Sequence, residues 1–141
     1  MMKTYAVCKY IDRLREEDIL ISSNVDDVNE LVKSISYNSK DVNVGTIFVC
    51  KGTGFKKSYL EDALKRGAKF YVSEVDYAVS IPSIIVKDIR KAMYLIANIY
   101  YDNPWNELNI IGITGTKGKS TTLYYIKSIL DTYLKRQGKI T

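Results

Sequence analysis

Seven consecutive residues, Gly115-Thr116-Lys117-Gly118-Lys119-Ser120-Thr121, carry the side-chain types that grip a polyphosphate. Glycines at 115 and 118 leave the backbone bare, so its NH groups can meet an anion without steric interference. Lys119 is placed to reach terminal phosphates, and Ser120 offers a hydroxyl to magnesium. A helix opening at this point aims its unpaired amides at the negative charge. The spacing departs in one place from the general pattern G-x-x-x-x-G-K-[ST]: Ile113 stands where the first glycine is wanted, and the nearest glycine is Gly112. Binding of a nucleoside triphosphate with magnesium follows from this loop. Hydrolysis or transfer does not, because the metal also needs acidic ligands and the reaction needs an acceptor.

Composition narrows the chemistry further. The 141 residues include no histidine, which removes Ser-His and Cys-His catalysis and His-ligated zinc from this stretch. Cys8 and Cys50 sit in apolar surroundings without a CxxC partner and read as reduced core residues. Hydrophobic residues at 46% and charged residues at 26% fit a soluble globular protein. No apolar run approaches the roughly 20 residues of a membrane helix. Lys9, Asp12 and Arg13 interrupt the opening segment too early for a signal peptide, so the expected setting is the cytoplasm, with no membrane partner. Much of the net charge of +5 sits late, at Lys119, Lys127, Lys135, Arg136 and Lys139 against Asp131. A phosphate loop followed by a solvated helix face accounts for it, and the tyrosines are scattered rather than arrayed for stacking, so no nucleic-acid partner is expected.

The elements that must position the loop can be read from periodicity. Val7, Ile11 and Leu14 share one face of a helix over 5–16. A short apolar stretch at 19–21 and a turn at Asn24, Asp26 and Asp27 precede a strand over 30–37, and Gly45 opens a buried strand over 46–50. Ser58 and Glu61 have capping-box spacing for a helix whose inner face is Leu60, Ala63 and Leu64, with Gly67 as its left-handed C-terminal cap. Strands follow at 70–72 and 83–86. Asp88 caps a helix to about 101 with Ala92, Leu95, Ile96 and Ile99 inward, ended by Asn103-Pro104. Residues 105–108 read as a linker, 109–114 as a strand buried on both faces, and 119–134 as a helix with Leu123, Ile126, Ile129 and Leu130 along one side. Strands alternating with helices predict an α/β layered fold.

The run Ile111-Gly112-Ile113-Thr114-Gly115-Thr116-Lys117-Gly118-Lys119-Ser120-Thr121 resembles the ATP loop of the Mur ligases, which departs from the general pattern at the same position. Upstream, Asn38-Ser39-Lys40 followed by Val44-Gly45-Thr46-Ile47-Phe48-Val49 is similar to the Asp-Ser-Arg segment and Gly-x-x-Phe-Val strand in the uridine-nucleotide-binding domain of the tripeptide synthetases, the MurE type. Lys51-Gly52-Thr53-Gly54-Phe55, Arg66-Gly67-Ala68, Val86-Lys87-Asp88-Ile89-Arg90-Lys91-Ala92 and Tyr101-Asp102-Asn103-Pro104 continue the likeness in order.

The resemblance implies a small mixed α/β domain over 1–104 that binds a UDP-muramyl peptide. Residues 105–141 would then begin a doubly wound ATP-binding domain with its first strand, loop and helix. It implies an ATP- and Mg2+-dependent ligase of peptidoglycan synthesis that activates a carboxylate as an acyl phosphate for attack by an amino acid. Gly115, Thr116, Lys117, Gly118, Lys119, Ser120 and Thr121 would hold ATP, with Lys119 catalytic and Ser120 on magnesium. Ser39, Gly52, Thr53, Gly54 and Phe55 would contact the uridine, although Ser39 reads equally as a turn-former. Asn38 and Lys40 replace the family's aspartate and arginine. Lys117 gives a Gly-Thr-Lys-Gly-Lys form resembling lysine-adding enzymes.

Two other readings compete: the dipeptide-adding MurF type, against which the Gly-Thr-Lys-Gly loop argues, and a non-catalytic nucleotide-sugar-binding module. The expected whole is a monomer of several hundred residues, of which this stretch is an N-terminal piece without ligase activity of its own.

Overall fold

A computed structural model describes residues 4–138; Lys139 of the basic tail lies outside them. The chain divides into two compact units, one ending at 106 and one starting at 107.

The first unit opens with strand β1 (Tyr5–Ala6) and helix α1 (Val7–Glu16), which buries Val7, Tyr10, Ile11 and Leu14. Strands β2 (Leu20–Ser23), β3 (Leu31–Val32) and β4 (Ser34–Ser36) follow, and after a 3-10 turn at Ser39–Asp41 comes β5 (Thr46–Val49). Helix α2 (Lys57–Lys65), strands β6 (Ala68–Ser73) and β7 (Ser83–Val86) and helix α3 (Ile89–Tyr100) complete it. The main sheet has the order β2-β7-β6-β5-β4, parallel except for β2 on β7; β1 and β3 form a separate antiparallel pair.

Side-chain alternation along the central strands builds two cores, because successive residues of a strand face opposite sides. Ile47, Val49, Phe70, Val72, Ile84 and Val86 pack under α1 and α3 with Leu14, Leu95 and Ile96. Phe48, Cys50, Tyr71 and Ile85 pack under α2 with Leu60 and Ala63. With apolar residues on both faces, β5 and β7 are fully buried strands, as expected for 46–50. The layered α/β class expected from the sequence is the one observed.

Three expectations are corrected. The strand over 30–37 is two strands in different sheets: the chain switches at Lys33, whose NH donates to the Gly45 carbonyl at 3.0 Å, leaving β3 on β1 and β4 on β5. The Ser58–Glu61 capping box does not form. The N-cap of α2 is Lys56, so Ser58 is already one residue inside the helix, and no side chain caps it. The strand expected over 109–114 is irregular, and Ile110 and Ile111 are exposed. A strand exists only through a neighbour that takes its hydrogen bonds, and among the described residues of the second unit there is no strand to do so.

The caps at 67 and 88 stand as expected. Gly67 has φ +100 and donates to the Leu64 carbonyl, while Asp88 accepts from the amides of Arg90 and Lys91. A short 3-10 turn at Pro104–Glu107 spans the boundary at 106/107, and in the second unit helix α4 (Lys119–Arg136) follows the glycine-rich loop, with no residue of α4 buried.

Candidate functional site

All four parallel strands end on the same side of the sheet, and in open α/β sheets the crevice outside the carboxyl ends of the strands is the usual ligand position. A groove of about 570 Å³ lies there, between the segment after β5, the segment after β6 and the start of α3. Gly52, Thr53 and Phe55 line it, so three of the expected uridine contacts come together. Gly54 and Ser39 are not in its wall. Gly52 has φ +109, a conformation that glycine adopts without strain, and nothing would fill the space of a Cβ there. Phe55 anchors the segment against Tyr77, with ring centroids 5.6 Å apart, and against Tyr59 at 6.0 Å.

The opposite wall holds Ser73, Glu74, Tyr77, Asp88 and Arg90, none of which was singled out as a site residue from the sequence. Topology was the missing signal, since they become neighbours only once β6 and β7 are known to run parallel beside β5. The Glu74 carboxylate accepts the Ile89 amide at 2.9 Å, and Asp88 accepts those of Arg90 and Lys91 at 2.8 and 3.0 Å. The loop after β6 is tied down by Tyr71, whose hydroxyl donates to Asp76 at 2.6 Å; this bond, with the Ala78 amide, holds the Asp76 carboxyl below its usual range. Cys50 lies at the groove floor, and burial pushes its thiol up to about 12, so it is a protonated apolar group rather than a nucleophile.

Ser39 begins the 3-10 turn and its hydroxyl hydrogen-bonds Asp62 of α2, which with Arg66 keeps that carboxyl below the ordinary range. Asn38 caps the same turn, accepting from the Lys40 amide at 3.2 Å and donating to Asp41 at 2.8 Å. Asn38 also lines a second, more apolar groove of about 630 Å³ beside β4, with Tyr37, Met93, Tyr94 and Tyr101. Lys51 stands over the Tyr37 ring at 4.7 Å.

In the second unit, Gly115 and Gly118 have φ +150 and +78, and Gly118 is the N-cap of α4. Both turns need the freedom of glycine, and they bring the loop to the helix start that the sequence demanded. No side chain caps α4 and its first turn holds no acid, so the amides after Gly118 are left for a ligand. The Lys119 ammonium donates to the Gly115 carbonyl, folding the side chain back over the loop. A small hollow is lined by Ile111, Ile113, Lys119, Ser120 and Leu123. Among the described residues no cluster of His, Cys, Asp and Glu could by itself hold a metal.

No family model matches the chain. Individual relatives do. The UDP-N-acetylmuramoyl-L-alanyl-D-glutamate--L-lysine ligase of Enterococcus faecalis is 52% identical over 101 residues, 71% of this chain and 20% of that protein. The ligase of the same name from Streptococcus agalactiae is 46% identical over 102 residues, 72% of this chain and 21% of that protein. This chain thus spans about a fifth of the length of these relatives.

Among solved structures, the UDP-N-acetylmuramoylalanyl-D-glutamyl-2,6-diaminopimelate--D-alanyl-D-alanyl ligase of Acinetobacter baumannii matches with TM-score 0.66 at 22% identity, over 96% of this chain and 29% of that one. A MurF structure from the same organism matches with TM-score 0.66 at 21% identity, over 93% and 28%. At such identities these two speak for the fold, while the ligases at 46–52% identity speak for descent. The 46–52% identity makes the chain a homologue of the lysine-adding, MurE-type members of the Mur ligase family.

Proposed function

We propose that this chain supplies the nucleotide-sugar-binding region and the ATP loop of a cytoplasmic ligase. That enzyme would join an amino acid, L-lysine by preference, to a UDP-N-acetylmuramoyl dipeptide during peptidoglycan synthesis. The observation that carries the reading is the 52% identity over 101 residues with a protein named for that reaction. The loop geometry supports it: an uncapped helix start, two glycines at positive φ and one lysine over the loop are what a triphosphate tail requires.

In this reading the amides of residues 115–121 and the Lys119 ammonium hold the β- and γ-phosphates. Lys119 stabilises the charge that grows there as the substrate carboxylate is activated. Ser120 offers its hydroxyl to Mg2+, Thr116 and Thr121 add donors, and Lys119 must leave the Gly115 carbonyl to do its work. ATP, when bound, supplies the phosphoryl group, and magnesium neutralises its charge. Gly52, Thr53 and Phe55 receive the uridine in the groove beside β5 and β6, with Gly54 shaping the turn. Ser39 contributes from the neighbouring turn with its proton already committed to Asp62. Residues 1–104 form the substrate-binding domain and 105–141 the opening of the ATP-binding domain, so by itself the stretch turns nothing over. The whole enzyme works as a monomer.

A segment exchange tests this. The matching stretch of the Enterococcus faecalis ligase is replaced by this chain, and phosphate release is measured with UDP-N-acetylmuramoyl-L-alanyl-D-glutamate and either L-lysine or diaminopimelate. Lysine-dependent turnover that disappears in Lys119→Ala is the expected result. A folded chimera with no turnover, or turnover indifferent to Lys119→Ala, overturns the proposal.

A further inference from the structure

We propose that the polar groove between α1 and the end of α3 binds a small uncharged ligand carrying an amide group, with Asn98 as its innermost contact. The proposal is independent of the ATP and uridine readings.

The groove has a volume of about 590 Å³, the size of a small-molecule site. Helix α1 contributes Lys9, Asp12, Arg13 and Glu16 to its wall, while α3 and the turn after it contribute the carboxamides of Asn98, Asn103 and Asn106. Asn98 is 8% exposed, and its Oδ1 is buried without a hydrogen-bond partner among the described residues. It lies beside the inward row of α3, Leu95, Ile96 and Ile99, where an apolar side chain would bury similar area without a polar cost. A buried carboxamide oxygen that lacks a donor weakens the fold and calls for a reason. Tyr10, whose buried hydroxyl also lacks a partner among the described residues, is not in the wall of this groove. Asn98 is, so a donor brought into the groove can complete its oxygen.

The backbone around Asn98 is fixed. The Asn103 NH donates to the Asn98 carbonyl at 2.7 Å, and the Asp102 NH donates to the Ile99 carbonyl at 3.1 Å, the double closure of a Schellman helix end. The chain leaves this closure through positive φ at Asp102 and Asn103, which sets Asn103 in the wall. Among the described residues the side chains of Asn103 and Asn106 form no hydrogen bond. Three carboxamides therefore share one groove with their donors and acceptors uncommitted.

Charge decides the ligand class. Lys9 and Arg13 against Asp12 and Glu16 sum to zero, and each is answered close by. The Lys9 ammonium stands over the Tyr5 ring at 3.4 Å, Asp12 accepts from Arg15 at 2.6 Å, and Arg13 pairs with Glu16 at 3.4 Å and Glu17 at 2.9 Å. Neither an anion nor a cation gains net attraction here. A planar amide offers a donor and an acceptor side by side, the complement of a carboxamide. Cys8 and Ile99 supply apolar surface for its carbon atoms.

The test is a titration of this chain with N-acetylglycinamide, N-acetylglucosamine, acetate and methylammonium, following the side-chain NH2 signals of Asn98, Asn103 and Asn106 by NMR. Expected are saturable shifts with the amide probes and none with the two ions; the tighter of the two amides tells a peptide group from an acetamido sugar. Asn98→Leu should bind about tenfold more weakly while melting no lower than wild type, since it removes the contact and the unpaired atom together. Asn103→Gly, which suits the positive φ, should bind about threefold more weakly and serves if Asn98→Leu does not fold. Absence of shifts with both amides, shifts as large with the ions, or undiminished binding in the folded variants overturns the inference and leaves Asn98 a structural group answered by water.

Discussion

The Glu74 carboxylate accepts the backbone NH of Ile89 at 2.9 Å, joining the end of β6 to the first residue of α3 at the wall of the strand-end groove. With Asp88 on the amides of Arg90 and Lys91, the start of α3 has its donors satisfied by the protein's own carboxylates. A helix N-terminus treated in this way is closed to a phosphate, in contrast to the uncapped start of α4. The two helix starts are therefore not interchangeable: one is structural and the other is left open.

A diphosphate lying in the groove must consequently find its positive charge on side chains. Lys87 is turned toward Asp18, with its ammonium 2.9 Å from the carboxylate, which leaves Arg90 as the groove cation with no ion pair among the described residues. Arg90→Ala is expected to weaken UDP binding by about tenfold, the size of a charge-assisted contact of 1.5 kcal/mol or so, and to leave uridine binding unchanged. Equal losses for both ligands in a fluorescence titration would mean that Arg90 shapes the groove rather than meeting phosphate.

Gly67 is the position where backbone conformation and packing agree most strongly. Its φ is +100, and a Cβ there would lie 2.9 Å from Val44 Cγ2 and 3.0 Å from the Val44 Cα. Gly67→Ala should therefore cost about 2 kcal/mol or more, combining left-handed strain with a backbone clash. Gly52→Ala, at φ +109 but with open space, carries the strain alone and should cost about 1 kcal/mol. Urea denaturation of both variants checks the order, and equal costs would remove the packing component.

Much of this was legible from the chain alone, and the limits have physical causes. The inward faces of α1 and α3 follow from the 3.6-residue period, so Val7, Ile11 and Leu14, and Ala92, Leu95, Ile96 and Ile99, are buried as the spacing requires. Gly67 and Asp88 could be placed because caps depend on a few adjacent residues. The switch at Lys33 could not, because the run on either side of it is continuous in β character and only pairing tells the two strands apart. The Ser58–Glu61 spacing misled because it is satisfied equally well one residue inside a helix. The groove wall of Ser73, Glu74 and Arg90 is assembled across three elements, and no local pattern announces it. The glycine-rich loop is the opposite case, since its two positive-φ turns and the helix start behind it lie within seven contiguous residues.

Tyr10 presents a buried hydroxyl with no hydrogen-bond partner among the described residues, at 1% exposure, and burial raises its pKa to about 12. An unpaired buried donor costs its full desolvation, so removing it is not a loss. Tyr10→Phe is expected to be as stable as wild type or up to about 1 kcal/mol more stable by thermal or urea unfolding. A loss of about 1 kcal/mol or more would show that the hydroxyl is bonded, a water being the natural partner.

The loop between β6 and β7 is held by Asp76, which accepts from the Tyr71 hydroxyl at 2.6 Å and from the Ala78 amide at 2.8 Å. These bonds favour the carboxylate and lower its pKa in the folded chain. A group depressed in this way stabilises the fold above its unfolded pKa, and the contribution is lost as pH falls through the folded value. The melting-temperature difference between wild type and Asp76→Ala should thus be constant from pH 7 down to the ordinary carboxylate range and shrink below it. A difference that grows with acid would reverse the sign of the coupling.

Residues 109–114 carry the composition of a central strand and none of its hydrogen bonds, while β5 and β6 next to each other in the sheet share their amides in a parallel ladder. Protection against hydrogen exchange follows pairing rather than propensity. In a dilute solution of this chain, the amides of Ile110, Ile111 and Ile113 should exchange near the unprotected rate while those of Phe48, Tyr71 and Val72 exchange orders of magnitude more slowly. In the exchanged-segment ligase described above, the same isoleucines should become slow, because there a sheet is available to receive them. The apolar side of α4, with Leu123, Ile129 and Leu130 exposed here, would be covered in the same step. Slow exchange at 110–113 in the chain alone would show that it has found a partner strand by itself, and fast exchange in the chimera would mean that the segment is no strand in the ligase either.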